Sequence, residues 1–206
     1  ISRAREIVPL LQQYGELDLL VSGTQADLNL NQPLTYRFHG FSFIFGKKGG
    51  VDHWKTYRMM DLPRLQKDIR SIPLQKYDII INDFEPVTAW ACKLQKVPSI
   101  SLSHQAAFLS PKTPRPSNYF HWAEWVFKHY APATHHIGFH FDRYDDFIHT
   151  PVIRSDIRNQ EVKDMGHITV YLPAFDDRLL LSYLKKIPEV RWEVFSKHTK
   201  TTYRDA

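Results

Sequence analysis

The sequence predicts an α/β fold, a parallel sheet flanked by helices, and three observations predict it. Residues 77–105, YDIIINDFEPVTAWACKLQKVPSISLSHQ, run from a β-branched apolar strand through an acidic turn and an amphipathic helix into a second apolar strand. The same order begins again at His167–Leu172, with a helix over Asp176–Ile187 and a strand over Arg191–Phe195. The chain also opens on a helix that feeds an apolar strand, Leu17–Ser22. Strands alternating with helices indicate βαβ units. The crossovers are right-handed, so successive strand ends point to one edge of the sheet. Ligands of open α/β sheets dock in the crevice outside those ends.

From the amino terminus, ISRAREIVPLL reads as a helix with Ser2 as N-cap and Ile7, Val8, Leu10 and Leu11 buried. Pro9 is expected to kink it, and Gly15 closes it. A helix feeding a parallel sheet is expected to follow a first strand and its turn, so we read the sequence as a fragment. Gly23–Pro33 is a polar turn region, and Leu34–Phe45 alternates as one or two strands. Lys47-Lys48-Gly49-Gly50 is a flexible basic loop without phosphate-loop spacing. Trp54–Ser71 has helical periodicity, with Met59, Leu62, Leu65 and Ile69 inward.

In the central unit, Asp83 and Glu85 follow one strand, and His104 and Gln105 follow the next. SPKTPRPS, residues 110–117, is a stiff exposed loop. Tyr119, Phe120, Trp122, Trp125, Val126, Phe127 and Tyr130 then crowd one short helix. That is either a core helix with an aromatic rim or a surface for an acceptor, lipid or partner. Ala133–Phe141 alternates as a strand with His136 and His140 on one face. Without a third ligand these read as ordinary histidines rather than a metal site. Asp142, Asp145 and Asp146 form an acidic turn that lacks the glycine of a calcium loop. Residues 154–166 are charged and poor in apolar side chains, as an interdomain linker is. They separate a first domain, 1–153, from the start of a second, 167–206.

The chain has 206 residues, 43% hydrophobic and 24% charged, a globular composition. No apolar run approaches the roughly 18 residues of a membrane-spanning helix. Cys92 is the one cysteine, reads as a small buried hydrophobe and cannot form an internal disulfide, which fits a reducing cytoplasmic setting. A formal charge of +5 suits an anionic small molecule or the inner membrane face, and is too diffuse to imply nucleic acid.

These residues carry a resemblance. ISRA, with Ser2 and Arg3, resembles the tail of a Gly-His-x-Ser-Arg motif; IINDFEP resembles a strand ending in Asp-Phe-Glu-Pro, at Asp83 to Pro86; VPSISLSHQ resembles a strand ending in His-Gln, at His104 and Gln105. HITVYLP and LLSYLKKIPEVRWEVF resemble the start of a nucleotide-binding domain. In this order they are similar to two-domain nucleotide-sugar glycosyltransferases of the GT-B fold, in the branch of the macrolide glycosyltransferases and of the N-acetylglucosaminyltransferase that makes lipid II. The resemblance implies a Rossmann-like N-terminal acceptor domain followed by the first βαβ of a second Rossmann-like domain. It implies transfer of a sugar from a nucleotide-diphospho-sugar to an acceptor hydroxyl, without metal or other cofactor. It further implies a general-base histidine on the first-strand turn, upstream of Ile1, oriented by an aspartate that matches Asp83. Ser2, Arg3, Glu85, His104, Gln105, Trp122 and Trp125 are the candidate acceptor contacts. The competing reading of Asp83 is a carboxylate that caps the following helix. The competing function is a two-lobed α/β protein that binds a ligand without catalysis. A nicotinamide enzyme is disfavoured, since no Gly-x-Gly-x-x-Gly precedes a helix.

Overall fold

A computed structural model of the chain describes residues 3–23, 32–41, 51–58, 60–117, 121–173 and 175–196. The expectations for Ser2, for most of the 23–33 turn region, for the end of the 34–45 stretch, for the Lys47–Gly50 loop, for Met59 and for Tyr119 and Phe120 lie outside them. The chain forms two compact units, Ile1–Ser42 with Asp61–Asn159, and Phe43–Met60 with Gln160–Ala206.

The first unit is α/β, and among the described residues its ladders are parallel. Helix α1 (Ala4–Leu11) leads to β1 (Leu20–Ser22), which pairs with β2 (Tyr36–Phe38). Strands β3 (Ile81–Asn82), β4 (Ile100–Ser103), β5 (His135–Phe139) and β6 (Ile148–His149) form one sheet in that order. Helix α4 (Pro86–Gln95) joins β3 to β4, as expected for the central unit. Lys96 ends it in the left-handed conformation at φ 57°, and its N–H bonds the last turn. Strand β6 has no apolar run behind it in the sequence; its Ile148 is wholly buried against the edge of β5.

The expected helix over Trp54–Ser71 is two helices, α2 (His53–Arg58) and α3 (Leu62–Ser71). Pro63 has no N–H to donate and crowds the preceding turn, while Asp61 caps the new start by accepting from Arg64 N at 3.0 Å. Leu62, expected inward, is therefore exposed in the first turn of α3, whereas Ile69 is buried. Ile69, Ile72, Leu74, Ile80, Val87, Ala91 and Cys92 form the core between α3, α4 and the strands, with Leu20, Phe38, Tyr77 and Trp90 at its border. Leu94, on the far side of α4, is exposed. Burying such side chains stabilises by roughly 1.5–3 kcal/mol each, so the core fixes β3 and α4 and hence the turn between them.

The second unit carries β7 (Ile168–Tyr171) paired in parallel with β8 (Trp192–Phe195), joined by α7 (Asp177–Leu184). Asp176 caps α7, accepting from Arg178 N and Leu179 N. Residues 154–166 contain one helical turn, α6 (Ser155–Arg158), whose Ser155 hydroxyl donates to Glu6 at 2.7 Å. No helix among the described residues is long and apolar enough to cross a membrane.

Candidate functional site

The turn from β3 into α4 is built by its own polar side chains. Asn82 is buried, and its amide nitrogen donates to Glu85 O at 2.7 Å while its oxygen accepts from Glu85 N at 2.9 Å. This brace closes the turn over two residues. Phe84 inside it takes φ 53°, the left-handed region that a bulky side chain occupies only when its surroundings impose it. The Phe84 ring rests on Tyr130, centroids 4.9 Å apart. Tyr130 in turn donates its hydroxyl to Phe41 O at 2.8 Å. Burial, and then the Glu85 carboxylate, push the Tyr130 phenol well above its ordinary range, so it remains a donor.

The helix cap is Glu85, and the competing role for Asp83 falls away. Glu85 accepts from Val87 N and Thr88 N, each at 2.7 Å, and from the Ser22 hydroxyl at 2.5 Å. It therefore ties the end of β1 to the start of α4 and offsets the positive end of the helix. Ser22 is reached closely because Gly40, at φ +60°, brings the chain beside it; a Cβ there would sit 2.6 Å from the Ser22 Oγ.

Asp83, relieved of capping, projects beyond the carboxyl end of β3 and pairs with Arg3 at the start of α1. The carboxylate side chain is 40% exposed and the Arg3 side chain 13%. The Arg3 guanidinium lies over the Phe139 ring, 4.9 Å from its centroid, a cation–π contact, and its Nε is buried without a partner. Arg3 thus reaches β5 as well as β3.

His104 reaches the same ring from the other neighbour. It follows β4, and its Nδ1–H donates to Phe139 O at 3.1 Å, with the two rings edge to face at 5.9 Å. A carbonyl only accepts, so this bond places the proton on Nδ1 and leaves Nε2 with a lone pair when the ring is neutral. Gln105 then opens a 3₁₀ turn, Gln105–Leu109. That turn crosses the sheet directly over Gly138, where a Cβ would be 2.8 Å from the Ala107 backbone.

The structure brings Arg3, Asp83, Glu85 and His104 to the carboxyl edge of the first unit, around Phe139 and the β3–α4 turn. Trp122 and Trp125 stand on α5 (His121–His129), 43% and 63% exposed, while Phe127 of the same helix stacks inward on Phe108 at 5.1 Å. The aromatic helix therefore has both a core side and an exposed rim. Arg115 anchors the preceding loop by an ion pair to Glu124 at 2.9 Å and by bonds to the carbonyls of Phe108, Ser110 and Thr113. Among the described residues no group of three or more His, Cys, Asp or Glu side chains is arranged to hold a metal. Asn82, Ser22 and Phe139 carry no mark of a site in the sequence, and Tyr130 reads there only as one aromatic of its crowded helix. Asn82 had a signal, an Asx residue three positions before the cap; the others act through residues far away in the chain.

The family model of glycosyl transferase family 1 matches residues 1–204. No curated protein and no solved structure matches the chain. The match runs through both units, and the chain belongs to glycosyl transferase family 1.

Proposed function

We propose that the chain carries the acceptor side of a nucleotide-sugar glycosyltransferase of the macrolide and lipid II branch. In this reading residues 1–153 form the acceptor domain, 154–166 the linker, and 167–206 the start of a nucleotide-sugar domain. The reaction breaks the bond between the anomeric carbon and the diphosphate, releasing a nucleoside diphosphate, and forms a bond from that carbon to the acceptor oxygen. The acceptor proton passes to a base, an imidazole on the turn upstream of Ile1. A hydroxyl is a poor nucleophile at neutral pH, and a positioned base contributes about 10²–10⁴-fold. No metal takes part in this reading, which rests there on the resemblance alone.

The observation that carries the reading is the Asp83 carboxylate. It is not the cap of α4, and one oxygen is held by Arg3. The other oxygen can accept an imidazole N–H, fixing the tautomer and supporting the cation formed on proton transfer. His104, with its Nε2 lone pair turned away from the Phe139 carbonyl, contacts the acceptor or the sugar, as does Gln105. The exposed Trp122 and Trp125 suit a lipid or glycan acceptor and peripheral contact with the inner face of a membrane.

The experiment is a panel of nucleotide-diphospho-sugars offered to the polypeptide prepared with its natural flanking sequence, with release of nucleoside diphosphate as the readout. Acceptor-dependent release is expected from that protein and none from residues 1–206 alone. Turnover by residues 1–206, or none with any nucleotide sugar by the extended protein, would refute the reading.

A further inference from the structure

The chain turns from Asn82 to Glu85 with a positive φ, 53°, at the third residue, Phe84. Turns with a positive φ at that position ordinarily place glycine there, because a side chain is strained in it. The Asn82 brace fixes the two ends of the turn and not its middle. Something else must therefore hold Phe84. Its ring meets Tyr130, with centroids 4.9 Å apart. Beside it lies a cavity of about 100 Å³, which Phe84 lines together with Ser101, Phe127 and His136. The ring thus has a wall to rest on and room to leave it.

Tyr130 is the fixed member of this pair. Its N–H donates to Val126 O at 2.9 Å, so it continues the last turn of α5. Arg115 pins that helix through Glu124, and Phe108 pins it through Phe127. The Tyr130 hydroxyl donates to Phe41 O at 2.8 Å, and its ring packs on the Phe41 ring at 5.7 Å. Tyr130 is thus held by its helix, at its hydroxyl and by a second ring, independently of Phe84.

We propose that Tyr130 is a positioning residue for Asp83. It holds Phe84 in the left-handed conformation, and that conformation aims the Asp83 carboxylate outward and the Glu85 carboxylate onto the helix amides. Without the Tyr130 ring, Phe84 relaxes to negative φ, turns toward the cavity and swings the backbone of Asp83 with it. A displacement of about 1 Å at a reacting group lowers a rate by up to about 10²-fold. The effect on rate rests on the transferase reading, and the hold on the turn does not.

The test uses the protein with its natural flanking sequence. Tyr130→Leu removes the wall, and Tyr130→Phe keeps it. Tyr130→Leu is expected to lower kcat by about 10²-fold with nucleotide-sugar affinity unchanged, and Tyr130→Phe to stay within about threefold of the parent. Adding Phe84→Gly to Tyr130→Leu is expected to restore the rate by about tenfold, because glycine takes a positive φ without support. A role in packing alone predicts the reverse, since the second substitution removes a further ring. The turn is read directly at the Val87 and Thr88 amides, which Glu85 caps. Their hydrogen exchange is expected to quicken by about tenfold or more in Tyr130→Leu and to slow again in the double variant. Unchanged exchange in Tyr130→Leu, or no recovery on adding Phe84→Gly, would overturn the proposal. So would a parent-like rate in Tyr130→Leu where Asp83→Asn is slow. Parent-like rates in both of these variants, with exchange still faster in Tyr130→Leu, would overturn the catalytic reading of Asp83 rather than the hold on the turn.

Discussion

Asp83→Asn tests whether this carboxylate acts in chemistry or in structure, and Glu85→Ala supplies the contrast. The amide introduced by Asp83→Asn keeps an oxygen for the Arg3 guanidinium, so the bond persists but loses its charge. A hydrogen bond to a charged group contributes about 1.5–3 kcal/mol and a neutral one about 0.5–1.5, so the loss is about 1 kcal/mol. For a chain of 206 residues that lowers the melting temperature by about 2–4 °C. Glu85→Ala loses two cap bonds and the bond from Ser22. Cap loss costs about 0.5–2 kcal/mol and the charged bond about 1.5–3, a combined loss of about 2–4 kcal/mol after allowing for non-additivity. The melting temperature should fall by roughly 5–15 °C. Catalysis should rank the two in the opposite order. Without the Asp83 charge, turnover of the extended protein should drop by about 10²–10⁴-fold with nucleotide-sugar affinity unchanged. Glu85→Ala should keep much of its rate well below its melting temperature. Calorimetry, nucleotide titration and initial rates on the two variants decide the matter. Wild-type turnover in Asp83→Asn would remove Asp83 from the mechanism.

Three further outcomes follow from the geometry. Gly138→Ala places a methyl 2.8 Å from the Ala107 backbone, so it should cost about 1–3 kcal/mol and displace the turn after His104, measurable as a lower melting temperature with a raised acceptor KM. Burial, then the neighbouring His135, depress the pKa of His136 below the ordinary imidazole value of about 6.5. The folded state then binds fewer protons than the unfolded one, so stability is full above that value and is lost as pH falls through it towards the depressed one. His136→Gln should flatten the melting temperature between about pH 7.5 and 5, and parallel profiles for the two proteins would refute the assignment. Replacing Trp122 and Trp125 together with serine should cost about 1 kcal/mol or less, as exposed positions do, and weaken binding to anionic vesicles or acceptor; a loss of about 3–5 kcal/mol would place them in the core.

The local elements of this protein are legible in its residues alone. Alternating apolar runs and amphipathic stretches indicate the α/β class, and DFEP between them marks a strand end opening a helix, because strand alternation and helix capping depend on residues within about four positions of one another. The break at Pro63 is equally local, but the hydrophobic period continues across it and so reads as one helix. Which of the two carboxylates caps the helix is decided only by packing. Asp83 and Glu85 are chemically alike and two residues apart. Asn82 and the left-handed Phe84 turn Glu85 onto the helix amides and send Asp83 outward. Arg3 lies 80 residues from its partner and meets it because the start of α1 is brought to the carboxyl end of β3. The pairing of β6 and the crossing over Gly138 depend in the same way on which strands lie side by side. Strand order is set by which apolar faces pack on a common core, and that is a property of the whole chain rather than of any stretch of it.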